Sequence, residues 1–231
     1  TLQPNKDFEP EHSHRVFRIM ASDYAASTLI PALLKRLRAE APTTSLDIMT
    51  PSDVTFHDVE NGKVDMAINR FEQLPQSFHQ KTIWRDSFAC LVHKQNPIHN
   101  HFNLDSYLKA QHIWVSKTGF GVGVGMDPAD VQKLGWVDEA LAKFGKQRNI
   151  SVFTRNYHVA MHLAVETDLI ATLPLRAAQL YKNDPTMEIL DPPFPIPSIE
   201  LKMIWSPLLH QDASHIWLRR MIVEIADELT H

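Results

Sequence analysis

The stretch RVFRIMASDYAASTLIPALLKRLRAEAP, residues 15–42, decides the fold. Its first part, Val16–Ala21, is an apolar run of strand length, whereas residues 24–40 place leucines at helical spacing with lysine and arginine on the opposite side. Pro31 interrupts that spacing, so the helix is expected either to kink at this residue or to begin in earnest near it. A strand that leads directly into an amphipathic helix is the first half of a β-α-β unit.

The residues that follow complete this unit. The sequence predicts a strand at Leu46–Met49, a helix over 54–61 that ends at Gly62, and a strand at Val64–Ile68. Strands and helices that alternate over so short a span are typical of a parallel sheet covered by helices, which places the chain in the α/β class. Further strands are predicted over 78–84 and 86–93.

After about residue 92 the pattern restarts. Strands are predicted over 112–115, 150–153 and 169–172, and helices over 128–145, 157–166 and 173–180. The segment Asp191–Pro197 is predicted to be an extended connection, because proline lacks the N–H group that a sheet needs. A strand at Ile199–Trp205 and a helix over 212–229 end the chain. Two α/β units are therefore predicted, and a tail that returns to the first unit would create two crossings and a hinged cleft.

Composition excludes several classes of protein. The 231 residues carry a net charge of −4, which argues against this chain being the main nucleic-acid-contacting surface. No apolar stretch is long enough to cross a bilayer, and the polar residues 1–14 resemble a linker rather than a signal peptide. The expected location is therefore the cytoplasm, with no membrane partner. The single cysteine, Cys90, lies in an apolar run and is expected to be buried rather than redox-active.

No pattern in the chain supports catalysis or metal binding. The glycine-rich segment Gly119–Gly125 lacks the spacing of a dinucleotide site, so a flexible loop at the cleft is favoured. The 13 histidines include no HExxH pair, and surface histidines are favoured over a metal site. Neither Ser22 nor Ser116 has an evident base, and Asp65 and Asp168 are expected to be structural. We therefore predict no catalytic residue, no metal and no cofactor.

A ligand site is predicted where the strands end. In open α/β sheets, ligands bind beyond the carboxyl ends of the strands. Those ends are Ser22–Asp23, Asn69–Arg70, Ser116–Phe120 and Thr154–Tyr157, which supply hydroxyl, amide, cationic and aromatic groups. Ser22 and Asp23 have two interpretations that the sequence leaves equal: they cap a helix, or they cap it and also contact a ligand.

Five blocks in the chain also carry a family likeness. They are the opening stretch 15–42, VENGKVDMAINRF (59–71), CLVHKQNPI (90–98), ETDLIATLPLRAAQLY (166–181) and WSPLLHQDASHIWLRRMI (205–222). In this order they resemble the effector-binding domain of LysR-type transcriptional regulators, above all the branch that includes nodulation and aromatic-degradation activators. The likeness spans about residues 15–228, which is nearly the whole chain.

This resemblance implies a fold and an organisation. It implies two Rossmann-like subdomains of the type II periplasmic-binding-protein fold, the first from residues 15–91 plus 200–231 and the second from 92–199. It also implies that a winged helix-turn-helix domain and a linker helix precede this region in a longer protein, with residues 1–14 as the end of the linker. Promoter DNA would then be bound through that missing domain, and the domains would pair as a homodimer or homotetramer.

The resemblance further implies that a small-molecule co-inducer, anionic or aromatic, binds between the subdomains. Carried over by position, the ligand-binding residues are Ser22, Asp23, Asn69, Arg70, Lys117, Thr118, Gly119, Phe120, Asn156, Tyr157, Leu173 and Pro174. Arg155 would add a cation if its side chain pointed inward. The competing interpretations are a solute-binding protein of a transport system with the same fold, and an enzyme on a two-lobed scaffold, for which the sequence offers no reactive group.

Overall fold

A computed structural model describes residues 7–116 and 135–231. The chain forms two compact units, the first made of the chain up to Arg85 together with Glu200–His231, and the second of Asp86–Ile199. Each unit contains a five-stranded sheet with helices packed on it. The predicted α/β class is confirmed.

The regular elements are numbered in chain order over the described residues. The strands are β1 (Val16–Ala21), β2 (Ser45–Met49), β3 (Met66–Asn69), β4 (His79–Asp86), β5 (Phe88–His93), β6 (Gln111–Val115), β7 (Asn149–Thr154), β8 (Ile170–Pro174), β9 (Met187–Leu190) and β10 (Ile199–Trp205). The helices are α1 (Asp23–Thr28), α2 (Ile30–Glu40), α3 (Phe56–Glu60), α4 (Leu104–Lys109), α5 (Trp136–Ala142), α6 (Tyr157–Glu166), α7 (Leu175–Ala178) and α8 (Ala213–Thr230). Short 3-10 helices lie at Pro10–His12, Pro97–Asn100, Gln179–Tyr181 and Pro207–Leu209.

The sheet of the first unit is mixed rather than purely parallel. Its strand order is β2-β1-β3-β10-β4, and β1 runs parallel to both β2 and β3. The parallel arrangement predicted for the first three strands is therefore confirmed, and the sheet is mixed because β10 pairs antiparallel with β3. The reason is that β10 enters from the second unit and not through a crossover helix, the connection that makes neighbouring strands parallel.

The sheet of the second unit is mixed for a similar reason. Its order is β7-β6-β8-β5-β9, with β6 parallel to β7 and β8, and β5 antiparallel to β8 and β9. β5 follows β4, a strand of the first sheet, with one residue between them, so no crossover helix within its own unit leads into it. The sequence predicted neither the short strand β9 nor the short helix α4.

The predicted helix over 24–40 is two helices. α1 ends at Thr28 and α2 begins at Ile30, with Leu29 between them and Pro31 in the first turn of α2. Proline is tolerated there because a first-turn residue needs no intrahelical N–H bond. The helix therefore begins anew near Pro31, which confirms one of the two alternatives. Leu33 and Leu37, which are 0% and 3% exposed, face the core.

Two other helix boundaries differ from expectation. Leu173 and Pro174 belong to β8, where they pair with Ala89 and Phe88, so the helix predicted over 173–180 begins at Leu175 instead. Proline has no N–H group for a further sheet hydrogen bond, but its backbone here is still extended. The helix therefore begins only at the residue after it. Of the helix predicted over 128–145, the described part is α5, and residues 128–134 lie outside the described residues.

Candidate functional site

In the first unit, Ser22 closes β1 and opens α1. Its Oγ accepts a hydrogen bond from the N–H of Ala25 at 3.2 Å, and its own N–H donates to the carbonyl of Ile68 at 3.2 Å. The side chain is 2% exposed. Ser22 is thus an N-cap that also ties the end of β1 to the end of β3. Asp23, which follows it, is half-buried in the first turn of α1.

Asn69 and Arg70 lie at the end of the neighbouring parallel strand β3. Asn69 is 2% exposed, and its Oδ1 accepts a hydrogen bond from the N–H of Arg70 at 2.8 Å. Because Ala21 pairs with Ile68 in the parallel register, Ser22 and Asn69 leave the sheet at the same edge. The structure therefore brings together all four predicted residues of this unit, at the carboxyl edge of its sheet.

In the second unit, Asn156 has the same role as Ser22. Its Oδ1 accepts a hydrogen bond from the N–H of Val159 at 2.9 Å, which caps α6. Tyr157, the first residue of that helix, is 4% exposed. The N–H of Ser116 at the end of β6 donates to the carbonyl of Thr154 at 3.0 Å, so β6 and β7 end side by side. Leu173 and Pro174 end the parallel strand β8, and both are buried.

The remaining predicted residues fall into two groups. Lys117, Thr118, Gly119 and Phe120 lie outside the described residues, as does the rest of the glycine-rich segment Gly119–Gly125. Arg155 is exposed, and its guanidinium carbon lies 5.4 Å from the centroid of the Trp114 ring. This cation–π contact gives the Arg155 charge an aromatic partner within the second unit.

A buried polar network that contacts Thr172 of β8 was not predicted from the sequence. Arg148 donates to both carboxylate oxygens of Asp138, each at 3.0 Å, and the two side chains are 2% and 7% exposed. The Tyr107 hydroxyl lies 2.6 Å from the hydroxyl of Thr172 in β8 and 3.5 Å from an Arg148 nitrogen. A single sequence offers no signal for this network, because its members are brought together only by tertiary packing.

Cys90 belongs to the edge of the same network. Its Sγ lies 3.4 Å from the Thr172 hydroxyl, and burial raises the pKa of the thiol to about 12. A thiol that stays protonated at neutral pH is a poor nucleophile and a poor redox sensor. The prediction that Cys90 is a buried hydrophobic residue is confirmed.

Asp65 has the structural role that was predicted for it. Its carboxylate binds the Arg15 guanidinium and accepts the N–H of Arg18 at 2.7 Å. Its carbonyl accepts a hydrogen bond from Nε2 of His215 at 2.7 Å, and Arg15 also pairs with Asp212 at 2.8 Å. These contacts join the starts of β1, β3 and α8.

Within residues 7–116 and 135–231, no group of three or more histidine, cysteine, aspartate or glutamate side chains is arranged to hold a metal ion. None of the helices described there is long and apolar enough to cross a membrane.

Residues 10–227 match the family model described as the LysR substrate binding domain. Among curated proteins, the chain is 26% identical over 226 residues to the HTH-type transcriptional activator NahR of Pseudomonas putida, covering 97% of this chain and 71% of NahR. It is 29% identical over 213 residues to the HTH-type transcriptional regulator SyrM 1 of Sinorhizobium fredii, covering 90% of this chain and 58% of SyrM 1. The chain thus spans only part of the length of either relative.

Solved structures agree with the family model. The regulatory domain of MexT, a transcriptional activator in Pseudomonas aeruginosa, aligns with a TM-score of 0.73 and 30% identity over 92% of this chain and 98% of that domain. The effector binding domain of BenM with its effector benzoate aligns with a TM-score of 0.66 and 12% identity over 93% of each chain, which supports the fold alone.

These relatives are transcriptional regulators rather than enzymes or transport proteins, and the two mixed sheets are those of a type II periplasmic-binding-like fold. The chain therefore belongs to the LysR substrate-binding domain family, as an effector-binding domain of a LysR-type transcriptional regulator.

Proposed function

We propose that this domain senses a small organic anion with an aromatic ring, and that one ligand contacts strand-end residues of both units. The proposed contacts are those expected from the sequence: Ser22, Asp23, Asn69 and Arg70 in the first unit, and Lys117, Thr118, Gly119, Phe120, Asn156, Tyr157, Leu173 and Pro174 in the second. The proposed site performs no catalysis, so the ligand is released chemically unchanged.

One observation supports this proposal. In each unit, a strand that runs parallel to its neighbour is followed by a helix whose start is capped by a polar side chain, with further polar residues beside it. Ser22 caps α1 beside Asn69, and Asn156 caps α6 beside Ser116. A capped helix start is a fixed piece of backbone, so groups placed there recognise a ligand without first being ordered. Free N–H groups at the start of a helix also favour an anion.

The chemistry of the proposed residues suggests the ligand class. Arg70 and Lys117 are cations, the residue type that pairs with a carboxylate, and Phe120 and Tyr157 are aromatic residues, the type that packs against a ring. Benzoate, which the BenM domain binds, contains both parts in a small molecule. An aromatic carboxylate is therefore the first class to test.

The proposed output is a shift between two conformations. A ligand regulates only if it binds one conformation better than the other, and a tenfold difference in affinity is worth about 1.4 kcal/mol. We propose that this shift reaches a DNA-binding domain that precedes the described region in a longer protein, in the cytoplasm, and that the domains act as a homodimer or homotetramer. The DNA-binding domain in this proposal is supported by NahR and SyrM 1, which are named as HTH-type regulators.

The test is a thermal-shift screen with benzoate and a series of ring-substituted benzoates. We expect at least one compound to raise the melting temperature and to be recovered unchanged by chromatography. Turnover of the compound would overturn the proposal of sensing without chemistry, and no stabilisation by any member of the series would overturn the ligand class.

A matched pair of variants then locates the site. Asn156→Ala and Asn103→Ala both remove an asparagine N-cap in the second unit, and Asn103 Oδ1 accepts from Ser106 N–H at 2.9 Å. Each should lower the stability by about 1 kcal/mol, because each leaves helix N–H groups uncapped. Only Asn156→Ala should lower the stabilisation by the ligand. Equal behaviour of the two variants towards the ligand would show that Asn156 is not part of the site.

A further inference from the structure

The chain passes between its two units at two places, Arg85–Asp86 and Ile199–Glu200. Both places lie on neighbouring strands of the first sheet, because β4 ends at Asp86 and β10 begins at Ile199. The side chains of Arg85 and Glu200 form an ion pair of 2.7 Å across these strands. The two crossings therefore leave the first unit side by side.

Close to the first crossing, Trp84 is hydrogen-bonded to a residue that adjoins the candidate site of the first unit. Trp84, which is 5% exposed, donates its indole N–H to the hydroxyl of Tyr24 at 3.0 Å. Tyr24 is 4% exposed and follows Asp23 directly in α1. A buried indole N–H and a buried phenol that satisfy each other hold both side chains in one orientation.

On the other side of the crossing, Asp86 is hydrogen-bonded to a residue that adjoins the candidate site of the second unit. Asp86, which is 5% exposed, accepts the N–H of Arg176 at 3.1 Å through Oδ2. Its neighbour Ser87 accepts the N–H of Leu175 at 2.8 Å through its carbonyl. These two amides open α7, immediately after Leu173 and Pro174. A carboxylate that receives the first N–H groups of a helix fixes the position of that helix start.

We propose that Trp84 and Asp86 are positioning residues that couple the two sets of ligand-binding residues to the crossing between the units. A three-residue segment holds α1 through Tyr24 on one side and the β8–α7 corner through Arg176 on the other. A ligand that displaces either element therefore acts on the crossing at Arg85–Asp86, at the end of β4, and the end of a regular element is where a hinge absorbs motion. The inference rests on the proposed function for its biological meaning, but its test needs no ligand.

The test measures distances between the units by electron paramagnetic resonance of the full chain. Spin labels are attached through Lys35→Cys in the first unit and Lys146→Cys in the second, both at exposed positions. Cys90 is buried and should remain unlabelled. Trp84→Phe and Asp86→Ala should each broaden the distance distribution by at least half its width in the unmodified chain, because each removes a side-chain hydrogen bond that holds the crossing to one unit.

Two controls separate positioning from general loosening. Trp205→Phe removes an equivalent indole N–H, which donates to Nδ1 of His210 at 3.2 Å at the end of β10 away from the crossing, and should leave the distribution unchanged. Asp86→Asn keeps an oxygen that accepts from Arg176 and should restore the distribution. Tyr24→Phe should act as Trp84→Phe does, and the double variant should be no broader than either single variant.

Unchanged distributions in Trp84→Phe and Asp86→Ala would overturn the proposal, and so would a Trp205→Phe variant as broad as Trp84→Phe. If Asp86→Ala does not fold, the Tyr24 and Trp84 variants decide the matter alone. Absence of any ligand for the domain would overturn the proposed function and would leave these distances unaffected.

Discussion

The two units have similar sheets but hold their polar residues in different ways. Each contains a fully buried histidine that binds a backbone carbonyl through Nε2: His215 to Asp65 in the first unit, at 2.7 Å, and His112 to Tyr107 in the second, at 2.6 Å. The arginine that pairs with aspartate in the first unit, Arg15, has a side chain 26% exposed, whereas Arg148, which pairs with Asp138 in the second unit, is 2% exposed. The second unit therefore depends more strongly on charges that are shielded from water.

Removal of one partner of the buried pair should have the largest effect. Arg148→Met deprives Asp138 of two hydrogen bonds in a region that excludes water, and we expect a loss of about 3–5 kcal/mol in the free energy of unfolding. Denaturant unfolding measures this loss. The double variant Arg148→Met with Asp138→Leu should recover most of it, because an apolar pair needs no solvation. A double variant as unstable as the single one would contradict this explanation.

The second-largest effect should be a loss of folding stability at acidic pH, caused by His112. Burial, and secondly the charge of Arg148, lower the pKa of His112 to about 3. The folded state thus holds His112 neutral, while the unfolded chain binds a proton below about pH 6.5. Stability should be fully present above that pH and fall by up to a few kcal/mol as the pH drops towards 3.

His112→Gln tests this assignment, because glutamine does not titrate. Unfolding measured from pH 7 to pH 4 should show a shallower loss in the variant than in the unmodified chain. His101→Gln, at an exposed position in the same unit, should leave the slope as it is. If the two variants have the same slope, His112 is not the titrating group.

Removal of Arg15 from its ion pairs with Asp65 and Asp212 in the first unit should lower the stability less than removal of Arg148 does. Arg15→Met removes the contacts to Asp65 and Asp212, and hydrogen bonds to charged groups contribute about 1.5–3 kcal/mol. Partial exposure allows water to replace the guanidinium, so we expect a loss at the lower end, smaller than that of Arg148→Met. Denaturant unfolding of both variants under the same conditions makes the comparison. A larger loss for Arg15→Met would reverse the ranking of the two units.

Most local features of this fold could be predicted from the sequence. The order of the longer strands and helices, the N-cap position of Ser22 and the break near Pro31 depend on residues within one or two turns of each other, whereas the short elements β9 and α4 were missed. The direction of β5 and β10 could not be predicted, because strand direction depends on where the chain arrives from, and β10 arrives from the other unit.

The same distinction applies to the candidate site. Residues that follow strands, such as Ser22, Asn69 and Asn156, are recognisable because strand ends and capping side chains leave a local pattern. Trp84 and Tyr24 are 60 positions apart, and their hydrogen bond exists only after β4 has joined the sheet. The residues that support the site are therefore hidden from a single sequence, although the residues proposed to contact the ligand are not.

If both units contribute to one ligand site, a substitution in either unit should weaken binding of the ligand. Isothermal titration calorimetry would measure the affinity of the most stabilising aromatic carboxylate for Ser22→Ala in the first unit and Asn156→Ala in the second. Thr55→Ala, which removes the N-cap of α3 in the first unit, is the control. Both site variants should lose roughly tenfold or more in affinity, about 1.4 kcal/mol, while Thr55→Ala should bind as the unmodified chain does. Loss of affinity in only one of the two site variants would contradict a ligand held by both units.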